Sequence, residues 1–279
     1  MEKLRKTLKS AFSDRQFAAG AILLMILVLI AIFAPLLAPE DPYVYGDDVL
    51  YAPGEGGHIL GTNHLGQDIL SMLIYGVRTS LAVALISSLI SGTLGIIIGG
   101  VSGFFGGKVD AVVSEIINIF MMIPSFFLIL LVMAIFGSSI TNVMIVIGIT
   151  TWPSNARLMR AQALSLRERT FVSAARAMGE SRFQILIKYI IPNGVFSVIA
   201  NTTLGMSNAI LTEASLSFLG LGDVSIISWG QMIYAGKSYI TSAWWIATFP
   251  GIAIIITVIA FYLLGDGLNH ILDPKWKER

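Results

Sequence analysis

Several side chains stand at spacings that could carry chemistry. His58, His64 and Asp68 offer two imidazoles and a carboxylate, with His64 and Asp68 one helical turn apart. Three such groups are too few for a closed tetrahedral site, so no bound metal is expected. Gly100-Val-Ser102-Gly103 presents a hydroxyl between glycines, but a serine nucleophile needs a histidine base within hydrogen-bond reach, and only His270 follows it. Gly220-Leu-Gly222-Asp223 puts an aspartate after a glycine turn, where proteolysis would need a second carboxylate to share the proton; the available ones are Asp110 and Asp266. Gly103-Phe-Phe-Gly106-Gly107-Lys108-Val109 approaches a phosphate-binding loop, yet it lacks the glycine five residues before Gly107 and the Ser or Thr after Lys108. No catalytic residue, nucleotide or other cofactor is therefore expected on this chain. Glu213 belongs to a face of the chain on which Asn201, Gly205, Ala209, Glu213 and Ser217 recur every fourth residue.

The elements that must hold these residues are membrane helices. Of 279 residues 55% are hydrophobic and only 13% charged, and the mean hydropathy is +0.80, which excludes an ordinary water-soluble globule. With 18 basic against 17 acidic residues there is no excess charge to attract nucleic acid. No Cys is present, which removes thiolate metal sites and cysteine nucleophiles. A span needs about 20 mostly apolar residues, and six stretches qualify: residues 17–38, 79–103, 111–136, 141–163, 190–219 and 244–264. The expected fold is all-α with six transmembrane helices. Residues 1–16 form a short leading segment, 17–279 a single membrane domain.

Lys and Arg concentrate on the cytoplasmic side of membrane proteins. Sixteen of the 18 fall at the two ends, at Lys108 or between residues 157 and 188, so both termini are expected in the cytoplasm and Asp223 across the bilayer from Asp110 and Asp266. The long segment of about 40–77 is then extracytoplasmic, ending in a short interfacial helix near 66–75, and Trp229, Trp244 and Trp245 are expected as interface anchors. On the second span Ser87, Ser91, Gly95, Gly99, Gly103 and Gly107 form a small-residue stripe suited to close helix packing, and Gly205 is expected to pack likewise on the fifth. A carboxyl at membrane depth is costly, so Glu213 must face the bundle, either lining a pathway or tying down the helix end beside Gly220.

The cationic loop of about 164–189 reads as a helical hairpin. Thr170 can cap a helix over 171–178, Gly179 supplies a left-handed stop, and Ser181 with Gln184 forms a capping box for the next helix. Small side chains at Ala174, Ala175 and Ala177 beside Phe171 and Met178 suit docking into a partner's groove.

The run Ala174-Ala175-Arg176-Ala177-Met178-Gly179, followed by Ile190-Ile191-Pro192-Asn193, closely resembles the EAA loop of ATP-binding cassette importer permeases. His58-Ile-Leu-Gly61-Thr62-Asn63-His64-Leu-Gly66-Gln67-Asp68, Tyr75-Gly76-Val-Arg78, Glu213-Ala-Ser-Leu-Ser217-Phe218-Leu219-Gly220 and Gly265-Asp266-Gly267 with Asp273-Pro274 are similar to signatures of the dipeptide, oligopeptide and nickel branch, nearest its C-type permease subunit. Ser173 stands where the motif's name has Glu, and Asn63, Gln67 and Asn269 also depart from common residues. The resemblance implies a type I importer permease in the plasma membrane of a bacterium or archaeon. It implies a second, homologous permease as partner, two ATPase subunits that bind ATP and Mg2+, and an external substrate-binding protein, with lipid around the spans. Phe171, Ala174, Ala175, Arg176, Met178, Gly179 and Arg182 would form the coupling helix that docks on an ATPase. Cargo would be a di- or oligopeptide, with nickel chelates and oligosaccharides as alternatives; an intramembrane protease and a scaffold without transport are the readings from other classes.

Overall fold

The computed structural model describes residues 14–272, which are helical apart from loops and one isolated bridge between Thr62 and Asp68. Most of the basic residues expected at the two ends, with Asp273-Pro274, lie outside the described residues. Helix α1 (Arg15–Ile32) is capped by the Asp14 carboxylate, which accepts from Phe17 N. The short α2 (Ala34–Leu37) follows a break at Phe33, where Pro35 cannot continue the backbone ladder. Then come α3 (Ile69–Phe105), α4 (Gly107–Met122), α5 (Ser125–Phe136), α6 (Ile140–Leu166), α7 (Thr170–Ala177), α8 (Arg182–Ile185), α9 (Ile191–Phe218), α10 (Trp229–Gly236) and α11 (Trp245–Leu272).

Four of the expected spans are helices long and apolar enough to cross a bilayer: α1, α3, α8 with α9, and α11. The third is broken at Ile123-Pro124, where α4 and α5 meet at 83°. The fourth, α6, has 27 residues, long enough to cross, but carries Thr, Asn, Arg and an internal Pro153, so its composition alone is not that of a lipid-facing helix. It runs parallel to α3 and packs closely along it, with Ser87 bonded to Met144 O and Ser91 to Asn155.

No separate interfacial helix forms before the second span. Asp68 accepts from Ser71 N at 2.7 Å and starts α3 at Ile69, so residues 69–75 are its first turns. At the other end Gly106 (φ 66°) and Gly107 (φ 56°) turn the chain straight into α4, a left-handed geometry that favours glycine.

The small stripe of α3 meets α6. A Cβ on Gly95 would overlap the Asn155 side chain, one on Gly99 the Ala156 carbonyl oxygen, and one on Gly103 the Arg160 carbonyl oxygen. Gly205 differs from expectation: nothing lies within 4 Å of a Cβ built there, so it packs against no helix. Two of the three tryptophans are likewise not interface anchors. Trp229 is buried, donating Nε1–H to Leu73 O at 3.1 Å with Gly76 against its ring, and Trp245 donates to Thr62 O at 3.0 Å; only Trp244 is half exposed. Residues at both ends of the described chain approach each other, Asp14 Oδ2 lying 3.6 Å from His270 Nδ1.

Candidate functional site

The hairpin forms from its local signals, with one change. Arg169, not Thr170, is the N-cap of α7, and it makes no side-chain cap bond. Gly179 (φ 86°) ends the turn, and both capping-box bonds are made: Gln184 N donates to Ser181 Oγ at 3.3 Å and Ser181 N to Gln184 Oε1 at 2.9 Å. Val172 and Ala175 turn inward and pack with Ile185, Leu186 and Ile190 of the second limb and Phe104 and Met159 of the bundle. Phe171, Ala174, Arg176, Met178, Gly179 and Arg182 are exposed, Met178 at 73%. Ala175 is 1% exposed, so it belongs to the hairpin's own core and not to its outer face. Arg176 and Arg182 border a depression of about 490 Å3 between the hairpin and the end of α3.

From the hairpin, α8 runs into α9 without a break, as one helix from Arg182 to Phe218. Pro192 has no N–H and its ring would crowd the carbonyl four residues earlier. A π-helical turn over Leu186–Ile190 widens the ladder just ahead of it, Ile191 N donating to Leu186 O, which lets the helix continue.

At mid-length this helix forms one wall of a cavity of about 320 Å3, closed on other sides by α3 and α6. Ser87, Ser88 and Ser91 come from α3, Thr151, Ser154 and Asn155 from α6, and Asn201, Thr202, Gly205, Asn208 and Thr212 from α9. None of its lining residues is charged. Asn155 clasps all three helices: its Nδ2 donates to Ser91 Oγ at 3.0 Å, and its Oδ1 accepts from Asn201 Nδ2 at 2.8 Å. No residue was expected to line a cavity: Ser87 and Ser91 stand out in the sequence as part of a packing stripe, and Asn201, Gly205 and Ala209 as members of the four-residue repeat on α9. The remaining signal, Ser, Thr and Asn recurring in the middle of three spans, becomes a site only when the helices are assembled.

Glu213 lies off this cavity. Its Oε1 accepts from Ser217 Oγ and Ser228 Oγ, each at 2.8 Å, and it is 2% exposed. Ser228 caps α10, and Gly230 fits against Ala214 and Ser217. Glu213 therefore ties the end of α9 to α10.

The other candidate chemistry comes apart. Asp223 accepts from Ile140 N at the start of α6, whereas Asp110 holds Arg160, twenty residues and about 30 Å further along that helix. The two cannot share a proton. Ser102 Oγ donates to Asp110 Oδ1 at 2.6 Å, and His270 pairs instead with Asp14 and Asp266. His64 stacks on Tyr239 at 5.1 Å while His58 pairs with Asp68 at 3.1 Å, so the two imidazoles serve different contacts. The intramembrane-protease reading thus loses both its dyads.

The outer signature is a fastening. His58 Nδ1 lies 3.1 Å from Asp68 Oδ1 and 3.6 Å from Glu40 Oε1, and Nε2 lies 3.4 Å from Asp48 Oδ2. Asn63 Nδ2 donates to Gln67 Oε1, and Gln67 Nε2 to Pro42 O. These bonds fold residues 40–68 onto the start of α3. Burial alone would lower the His58 pKa, but the hydrogen bonds to Asp68 and Asp48 and the nearby Glu40 charge hold it above the ordinary 6.5.

Comparison with known proteins agrees with this geometry. The family described as "Binding-protein-dependent transport system inner membrane component" matches residues 91–278, and "N-terminal TM domain of oligopeptide transport permease C" matches residues 4–53. The di/tripeptide transport system permease protein DppC of Pseudomonas aeruginosa is 37% identical, over 96% of this chain and 91% of that one. The dipeptide permease DppC of Haemophilus influenzae is 36% identical over 95% and 92% of the two chains, and the glutathione permease GsiD of Pectobacterium atrosepticum 37% over 93% and 87%. A chain of the MetNI methionine ABC transporter, in an inward-facing structure, superposes with a TM-score of 0.57 at 19% identity, covering 73% of this chain and 97% of that one. With a charged hairpin at one end, a polar cavity at mid-depth and these relatives over nearly its whole length, the chain belongs to the family of inner-membrane permease components of binding-protein-dependent transport systems.

Proposed function

We propose that this permease forms half of the translocation path of an ATP-driven importer of di- and oligopeptides, and that the hairpin α7–α8 is where an ATPase drives it. The observation that carries the reading is the unbroken helix Arg182–Phe218, which joins the hairpin at one end to the cavity wall at its middle and the Glu213 clasp at the other. A tilt imposed on the hairpin then moves Asn201, Gly205 and Asn208 as a rigid lever about the clasp. The basic hairpin faces the cytoplasm by the distribution of Lys and Arg, both termini with it, and the loop of residues 40–68 faces outward, where a binding protein would deliver cargo. The chain is not itself an enzyme: ATP and Mg2+ belong to two ATPase subunits, and a homologous permease supplies the other half of the path. Peptide cargo follows from the names of the relatives, which transport di- and tripeptides and glutathione.

Co-purification tests this. Ala174→Arg and Met178→Glu change exposed residues, so the hairpin should fold while recovery of the ATPases drops about tenfold or more. Pairing with the second permease should persist. Full ATPase recovery with both variants would remove the docking assignment.

A further inference from the structure

Resting on that reading, we propose that Asn201 and Asn208 form a cargo subsite that binds the main-chain amide groups of a short extended peptide. The cavity lies at the midpoint of each helix that lines it: Ser87 to Ser91 are central in α3, Thr151 to Asn155 in α6, and Asn201 to Asn208 in α9. Polar groups at that depth are costly unless they find a partner or line a wet path. Most of the hydroxyls satisfy this locally, Ser87 donating to Met144 O, Thr151 to Ile147 O and Thr212 to Asn208 O. Asn155 is engaged at both ends of its amide, by Ser91 through Nδ2 and by Asn201 and Thr202 through Oδ1. Among the described lining residues, the Ser88 hydroxyl, the Asn201 Oδ1 acceptor and the whole Asn208 carboxamide make no hydrogen bond to protein, and of these only the two asparagines offer amide groups, Asn208 standing exposed on the cavity wall.

The two asparagines are seven residues apart, so they share one face of α9 about 10 Å apart. An extended chain advances about 3.3–3.6 Å per residue, and roughly three residues span that distance. Gly205 lies between them with open space where a side chain would stand, which lets the cargo backbone approach the helix. A carboxamide offers a donor and an acceptor in one plane, the complement of a peptide group. Because no charged residue lines the cavity, this wall reads the backbone common to all peptides and ignores side-chain charge.

The test uses the complete complex in proteoliposomes, with this chain, its partner permease, both ATPases and saturating loaded binding protein. Cargo moved per ATP hydrolysed is measured for three tripeptides, tri-alanine, alanyl-lysyl-alanine and alanyl-glutamyl-alanine, long enough to reach both asparagines. Asn208→Leu should lower that ratio about fivefold, the loss of one hydrogen bond, while ATP hydrolysis continues; Asn208→Gln, which keeps the amide, should retain most of it. Asn208→Asp should shift the preference for the lysyl over the glutamyl peptide about tenfold relative to wild type. Unchanged ratios in the Leu and Asp variants, in complexes that co-purify intact, would overturn the subsite while leaving the importer reading in place. A wild-type complex with no ATP-dependent uptake would overturn both.

Discussion

His58 illustrates how much a single imidazole can hold. It is 7% exposed and faces Asp68, the cap of α3, together with Asp48 and Glu40 of the outer loop, with Tyr51 edge-on at 6.4 Å. Its folded pKa is raised above 6.5, so the fastening it provides is complete below the unfolded value and is lost as pH rises through the folded one. Amide hydrogen exchange across residues 40–68 should therefore quicken as pH rises past 6.5 and through the raised folded value, beyond the intrinsic base catalysis seen in loops elsewhere. In His58→Phe that extra acceleration should be absent and exchange fast throughout; the same extra pH step in the Phe variant would assign it to another group.

Among the elements, the α3–α6 pair is set by glycines whose roles cannot be told apart from their spacing. Gly99 lies against the Ala156 carbonyl, Gly205 against nothing. Gly99→Ala should destabilise the bundle by about 1–3 kcal/mol through overpacking. Gly205→Ala should leave stability unchanged or raise it by up to about 1 kcal/mol, because alanine lowers the conformational freedom lost on folding. Thermal unfolding midpoints in detergent compare the two directly, and equal losses at both positions would contradict the open wall seen at Gly205. The π-turn ahead of Pro192 belongs to the same scale: it lets the second limb of the hairpin and the span form one continuous helix.

For the whole molecule, side matters more than shape. The wild-type chain has no Cys, so Arg176→Cys, on an exposed face of α7, introduces a single addressable thiol. A membrane-impermeant maleimide should label it in inverted vesicles and not in intact cells. Labelling from outside would reverse the orientation and remove both the ATPase contact and the direction of transport.

The far end of the hairpin was legible because capping is local: Gly179, Ser181 and Gln184 do what their neighbours in the chain require, whereas its start was not, the N-cap falling on Arg169. Spans were legible because length and apolarity are sums along the sequence. Asn63, Gln67 and Asn208 were harder, since a polar residue's meaning depends on which other helix supplies its partner. Ala175 shows the limit most clearly, reading as a docking residue by its size yet buried among Ile185, Leu186 and Ile190. Amino-acid order alone determined that the chain is helical and suited to a membrane, and it gave the Gly179 stop and the Ser181 capping box, but not the break at Ile123-Pro124 or the N-cap at Arg169. Assembly of α3, α6 and α9 decided which small and polar faces close on each other and which enclose a cavity, because burial is a relation between segments that no single segment contains.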